Sequence, residues 1–250
     1  MENILLGIDN GFKHLWLGMP VAVKGRVHFS NSPIAMTTPD CAVQNADGSF
    51  PVEISTEILL SEIACHVEGL FEANKYPYLV YHNLDHTRLV VQHAMEIAKH
   101  YPLDNRSVFI LLAAAWFHDT GHLAGNIEDH EETSVQIMKE FLTTKSVDEK
   151  TVNEISVCIR ATKMPPVPST LLEQIICDAD TFHIGTEDFP HFNKLVWLEM
   201  EQRLNRPISN KVRQSLLFLK NHRFFTSYCQ QLLSKGKDRN ILQLKPLLEE

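Results

Sequence analysis

Residues 108–117 read Val-Phe-Ile-Leu-Leu-Ala-Ala-Ala-Trp-Phe and end at once on His118-Asp119. A helix that is apolar on every side offers no face to water, so it has to run through the middle of a core. Asp104 stands where a cap for its first turn is needed, and Gly121 lies just past its end. An imidazole and a carboxylate delivered to the inner end of such a helix are costly unless something satisfies them. A shared metal ion is the cheapest partner. His82 and His86 in YHNLDHT and Asp180 in CDADTFHIG add donors of the kinds that bind zinc, iron, manganese or nickel.

The chain around this helix is patterned as a helical bundle. Ile54, Ile58, Leu59, Ile63 and Val67 recur at steps of three and four, and the period continues from Leu84 to His100. Further helices are expected at Glu128–Thr144, Asp148–Thr162, Ser169–Phe182, Phe189–Asn205, Ser209–Asn221, Thr226–Ser234 and Arg239–Leu248. Pro165, Pro166 and Pro168 separate two of these, and Pro207 two more. The first fifty residues differ. They hold Gly7, Gly11, Gly18, Gly25 and Gly48, half of the 10 glycines in the chain, and Val21, Val23, Val27 and Phe29 alternate as in a short strand. The expected architecture is therefore all-α, a helical bundle over residues 53–250, with a short irregular or β extension at 1–52.

Composition narrows the function. A formal net charge of −8 gives no footing for binding a nucleic-acid backbone. It leaves anionic small molecules open, because a metal with imidazoles makes one pocket positive inside an acidic protein. The five cysteines, Cys41, Cys65, Cys158, Cys177 and Cys229, are scattered without a CxxC, which fits a reducing cytoplasm better than a disulfide framework. No apolar run is long enough for a membrane helix, so a soluble cytoplasmic protein without membrane or nucleic-acid partners is expected.

Taken singly, each motif has an ordinary reading. Histidines four apart, as at 82 and 86 or 118 and 122, lie on one helix face and are often surface or core residues. Asp180 competes with Asp178 as the useful carboxylate. The combination, in order and on successive helices, is what points to a metal site.

That series resembles the HD superfamily of metal-dependent phosphohydrolases, whose ligands run His…His-Asp…Asp. YHNLDHT is similar to the YHNxxHT-like motif of class I cyclic-nucleotide phosphodiesterases, HDTGHLAGN to their HDxxHxGxxN, and IEDHE to their LENHH. The likeness covers residues 78–190. It implies that His86, His118, Asp119 and Asp180 bind a first metal, with Asp119 bridging to a second held mainly through waters. It makes His82 the general acid and puts His122 in the catalytic set. His122 and His130 would support the ligands or hold the second metal. The implied cofactors are one or two divalent transition ions per chain (Mn, Zn, Fe, Ni or Co), with Mg at the second position as a variant. The implied partner is a small phosphate ester, a nucleotide foremost, and a homodimer is a natural assembly.

The chain departs from that family in being shorter and in offering no glutamine that can be placed as the base clamp. Gly121-His122 replaces the Glu-Asp of guanosine tetraphosphate hydrolases, which argues against that activity. The di-iron oxygenase branch uses another histidine on the helix before the last aspartate, where this chain has Thr162 and Lys163. Hydrolysis of a nucleotide phosphodiester is the leading expectation. A phosphomonoesterase or nucleotidase, a di-iron oxygenase and a non-catalytic nucleotide sensor are the alternatives. Glu128 or Asp129 is placed to orient an imidazole, and Lys163 to meet phosphate. His93, His100, His183, His191 and His222 have no assigned role, and Phe224, Phe225 and Tyr228 read as core.

Overall fold

The computed structural model describes residues 56–124 and 128–248, so the expected N-terminal strands fall outside the described residues. The described chain is all-α, as its periodicity predicts. Its helices are α1 (Thr56–Ala73), α2 (Leu84–Ala98), α3 (Asn105–Phe117), α4 (His130–Thr143), α5 (Glu149–Ala161), α6 (Leu171–Asp180), α7 (Phe189–Leu204), α8 (Lys211–Asn221) and α9 (Ser227–Leu244). Short 3-10 helices cover Thr120–Ala124, Phe182–Gly185 and Pro246–Leu248. No helix among the described residues is long and apolar enough to cross a membrane.

The apolar helix takes the central place. Asp104 accepts from the Ser107 N–H at 2.8 Å and starts α3. Phe109 to Ala115 and Phe117 are then buried against α1, α2, α4, α5 and α6. Its five large buried side chains (Phe109, Ile110, Leu111, Leu112, Phe117) contribute roughly 10 kcal/mol of burial between them. A helix gripped on all sides sets its last residues firmly, and those residues are His118 and Asp119.

Two sequence expectations are corrected. His82 and His86 do not share a helix. Asn83 lies between them as the cap of α2, its Oδ1 accepting from Asp85 N at 2.9 Å and His86 N at 3.2 Å, so His82 sits in the extended segment ahead of the helix. The pair expected at Thr226–Ser234 and Arg239–Leu248 is one helix, α9, with Gly236 inside it. That glycine marks a close approach rather than a break. A Cβ on Gly236 would come within 1.7 Å of the Gly185 carbonyl oxygen, so two backbones meet where α9 crosses the Phe182–Gly185 turn. Gly236→Ala is therefore expected to destabilise the protein by about 3 kcal/mol, since backbone cannot yield as a side chain does. A urea unfolding midpoint unchanged by the substitution would refute that packing.

Asp178 and Asp180 divide their work. Asp178 turns away from the histidines and accepts from Phe225 N and Thr226 N, each at 2.8 Å, and from the Thr226 hydroxyl at 2.6 Å, fixing the start of α9. Asp180, the last residue of α6, faces the histidines. A second, smaller apolar cluster of Tyr81, Val196, Trp197 and Met200 clamps α7 against the segment carrying His82.

Candidate metal centre

Four side chains from three elements converge. His86 comes from the first turn of α2, His118 and Asp119 from the end of α3, and Asp180 from the end of α6. His86 Nε2 lies 3.2 Å from Asp180 Oδ1 and 3.3 Å from Asp119 Oδ2. His118 Nε2 lies 3.2 Å from Asp119 Oδ2 and 3.8 Å from Asp180 Oδ1. Donors arranged around one ion at about 2.1 Å stand about 3.0–3.4 Å apart, so these spacings fit a single ion with little adjustment. Both Nε2 atoms are buried without a well-formed hydrogen bond. Such an orphaned pair aimed at two carboxylates is what a metal would satisfy.

The local hydrogen bonds prepare the ligands. His118 Nδ1 donates to the Ala115 carbonyl at 2.9 Å, which leaves its Nε2 lone pair turned inward. The Tyr81 ring stacks on His86 with centroids 5.1 Å apart. Without a metal, burial pulls His86 and His118 down, but Asp119 and Asp180 outweigh it and raise both, His118 strongly. The same partners, against the push of burial, hold Asp119 well below the usual carboxylate range and lower Asp180. In that state protons stand in for the cation, and a metal has to displace them. Metal retention is therefore expected to fall as pH drops through the raised imidazole range, with protons released on loading. Retention independent of pH between about 8 and 5 would contradict these ligands.

Beyond Asp119 lies a file of three buried imidazoles. His82 and His122 have centroids 3.6 Å apart, and His122 and His130 stack at 4.0 Å. Their Nε2 atoms stand 4.0, 3.9 and 3.7 Å from the Asp119 carboxylate. Burial first, then neighbouring imidazoles and Arg203, hold His82 and His122 well below the ordinary histidine range, so both are neutral in the free protein. His82, Asp119 and His122 also have spacing that would suit an ion, as do His86, His118 and Asp180.

The sequence reading missed what stands behind this file. Glu199, fully buried on α7, is hydrogen-bonded to His82 Nδ1 at 2.9 Å and accepts from Tyr81 N at 3.0 Å. Arg203, one turn on, donates to Glu199 at 3.2 Å and to His122 Nδ1 at 3.1 Å. The signal was there: Val196, Glu199, Met200 and Arg203 follow the spacing of one helix face, which sets two charges on the buried stripe. His183, given no role above, lines the cavity and meets the Tyr81 hydroxyl at 3.2 Å. Glu131, also missed, lines the same space with a buried Oε2 that has no hydrogen bond, and burial raises its pKa. Glu128 is at the surface. Lys163 reaches the Glu128 carbonyl at 3.3 Å and ion-pairs with Asp129 at 2.9 Å, which places its ammonium beside Glu131 rather than among the histidines.

The cavity measures about 60 Å³, is partly open to solvent, and is lined by His82, Asp119, His130, Glu131 and Asp180 together with Met164, Ile184, Val196 and Phe218. That holds ions, waters or a phosphoryl group, whereas a whole nucleotide needs several hundred Å³ and would extend over the rim.

Residues 83–185 match the family model described as HD domain. The match begins at the cap of α2 and takes in all four converging side chains, with Glu199 and Arg203 beyond it. No curated protein matches the sequence. A crystal structure of a predicted HD superfamily hydrolase from an uncultured Thermotogales bacterium is 23% identical, covering 76% of this chain and 91% of that one, with a TM-score of 0.49.

Proposed function

We propose that this chain, whose residues 83–185 match the HD domain model, is a metal-dependent phosphohydrolase acting on a nucleotide phosphodiester. The observation that carries the reading is the pair of orphaned buried nitrogens, His86 Nε2 and His118 Nε2, facing Asp119 and Asp180. A divalent transition metal held there supplies a Lewis acid for a phosphoryl oxygen and makes water nucleophilic at neutral pH.

The chain's own residues supply the rest. His82 Nε2 stands 4.0 Å from Asp119 Oδ2 and lines the same pocket as Asp180, placed to give a proton to the departing oxygen. Glu199 fixes its ring through Nδ1, so that Nε2 is the nitrogen turned to the substrate. In the free protein His82 is neutral, and an arriving phosphate anion offsets the burial and the Arg203 charge that keep it so. Ile184, Val196 and Phe218 supply apolar lining of the same pocket. The YHNLDHT and HDTGHLAGN motifs favour a diester.

Chelation is expected to abolish activity, and manganese, cobalt, nickel or zinc to restore it better than calcium, because calcium prefers an all-oxygen shell. The assay is a panel of phosphodiesters and phosphomonoesters with metal analysis of the same sample. Turnover of monoesters alone would move the reading to a nucleotidase. Two irons with oxygen consumption would move it to an oxygenase, and nucleotide binding without turnover under every metal to a sensor.

A further inference from the structure

Arginine carries hydrogen-bond donors and no acceptor, so a ring nitrogen that it meets at bonding distance must be the acceptor. Arg203 Nη1 lies 3.1 Å from His122 Nδ1. The lone pair of His122 is thereby committed at Nδ1, and its proton is on Nε2. Yet Nε2 is the nitrogen that faces Asp119. A neutral imidazole ligates through its unprotonated nitrogen. The group His82, Asp119 and His122 therefore has the spacing of an ion site but presents an N–H where a ligand needs a lone pair. His118 is the internal contrast, because its Nδ1–H is given to the Ala115 carbonyl and its Nε2 is left to ligate.

Arg203 is not free to turn away. Its side chain is 3% exposed and bonded to Glu199, which Tyr81 N and His82 Nδ1 hold in turn. His122 itself is fully buried, and its Nε2 has no hydrogen-bond partner. A buried N–H calls for an acceptor, and Asp119 Oδ1 stands 3.9 Å away.

We propose that Arg203 confines the metal to the His86–His118–Asp119–Asp180 half of the site by holding the His122 proton on the nitrogen that faces Asp119. Arg203 is here a positioning residue that acts through His122. The proposal rests on the phosphohydrolase reading and decides between one ion and two.

The test combines metal counting with a direct reading of the tautomer. Wild-type protein equilibrated with excess manganese and desalted is expected to hold one ion per chain. Nitrogen-15 NMR is expected to show His122 as the Nε2–H tautomer. His122→Ala should keep that ion. Arg203→Met removes the obligatory donor, frees His122 to carry its proton on Nδ1, and should raise the count toward two. If Arg203→Met fails to fold, the wild-type tautomer and the His122→Ala metal count decide alone. Two ions in wild type with one lost in His122→Ala, an Nδ1–H tautomer, or an unchanged count in folded Arg203→Met would overturn the inference and leave the hydrolase reading standing. No bound ion in any form would sink both.

Discussion

Alanine at His86, His118, Asp119 or Asp180 is expected to strip the metal and to lower phosphoester hydrolysis by more than about 10³-fold. The four positions should not be equal. Asp119 touches both halves of the site, with one oxygen 3.2–3.3 Å from the ligating imidazoles and the other facing His122 and His130. Its loss removes a ligand and leaves several buried imidazoles without their carboxylate. Asp180 has the most exposed side chain of the set, at 23%, so a water has room to replace its oxygen and the metal loss should be smallest there. Asp119→Asn separates charge from shape and should lose metal nearly as completely as alanine. Helix content should survive in each variant, because the apolar body of α3 ends before His118. The measurement is metal per chain beside turnover and a far-ultraviolet spectrum. Full metal content and full activity in any two of the four would mean that the ligands are elsewhere.

How far the sequence could be read depended on what each signal measures. The all-apolar run of α3 fixed the centre of the bundle because burial on every side has one solution. That His86, His118, Asp119 and Asp180 would come together was legible because His-Asp at the end of that run has no cheap explanation, and the likeness to the HD superfamily supplied the other two. Periodicity failed where local geometry took over. The four-residue step from His82 to His86 mimics a helix, yet Asn83 caps the helix between them. Gly236 falls in the gap left between the helices expected at Thr226–Ser234 and Arg239–Leu248, yet it marks a backbone crossing against Gly185 that a linear pattern cannot show. Glu199 and Arg203 escaped for another reason. They lie 117 and 81 residues from the histidines they orient. Only the fold shows that α7 lays its buried charges against the site. His183 was hidden in the same way, its partner Tyr81 being 102 residues away.

His82→Ala should keep near-normal metal content and slow turnover by ~10²–10⁴-fold, the usual worth of general acid catalysis. The structure sharpens this expectation through Glu199. Burial pushes the Glu199 carboxyl up to about 8, while the Tyr81 N–H and Arg203 pull the other way. His82 is lowered by burial, His122 and Arg203. The two groups share one proton across 2.9 Å, and the anionic form of Glu199 is what stabilises a charged His82 ring. Glu199→Gln keeps the side-chain shape and removes that charge. The imidazolium then loses its counter-charge and the pKa of His82 falls further. An acid must be protonated to act, so activity is lost as pH rises through its pKa, and the basic limb of the profile should move to lower pH in Glu199→Gln. The leaving group provides a separate check. A nitrophenyl ester departs with little protonation, so both variants should lose much less on it than on an alkyl ester. Equal losses on the two esters would remove the acid role. Loss of metal from His82→Ala would make it a ligand and shift the site toward a histidine-rich two-metal pattern.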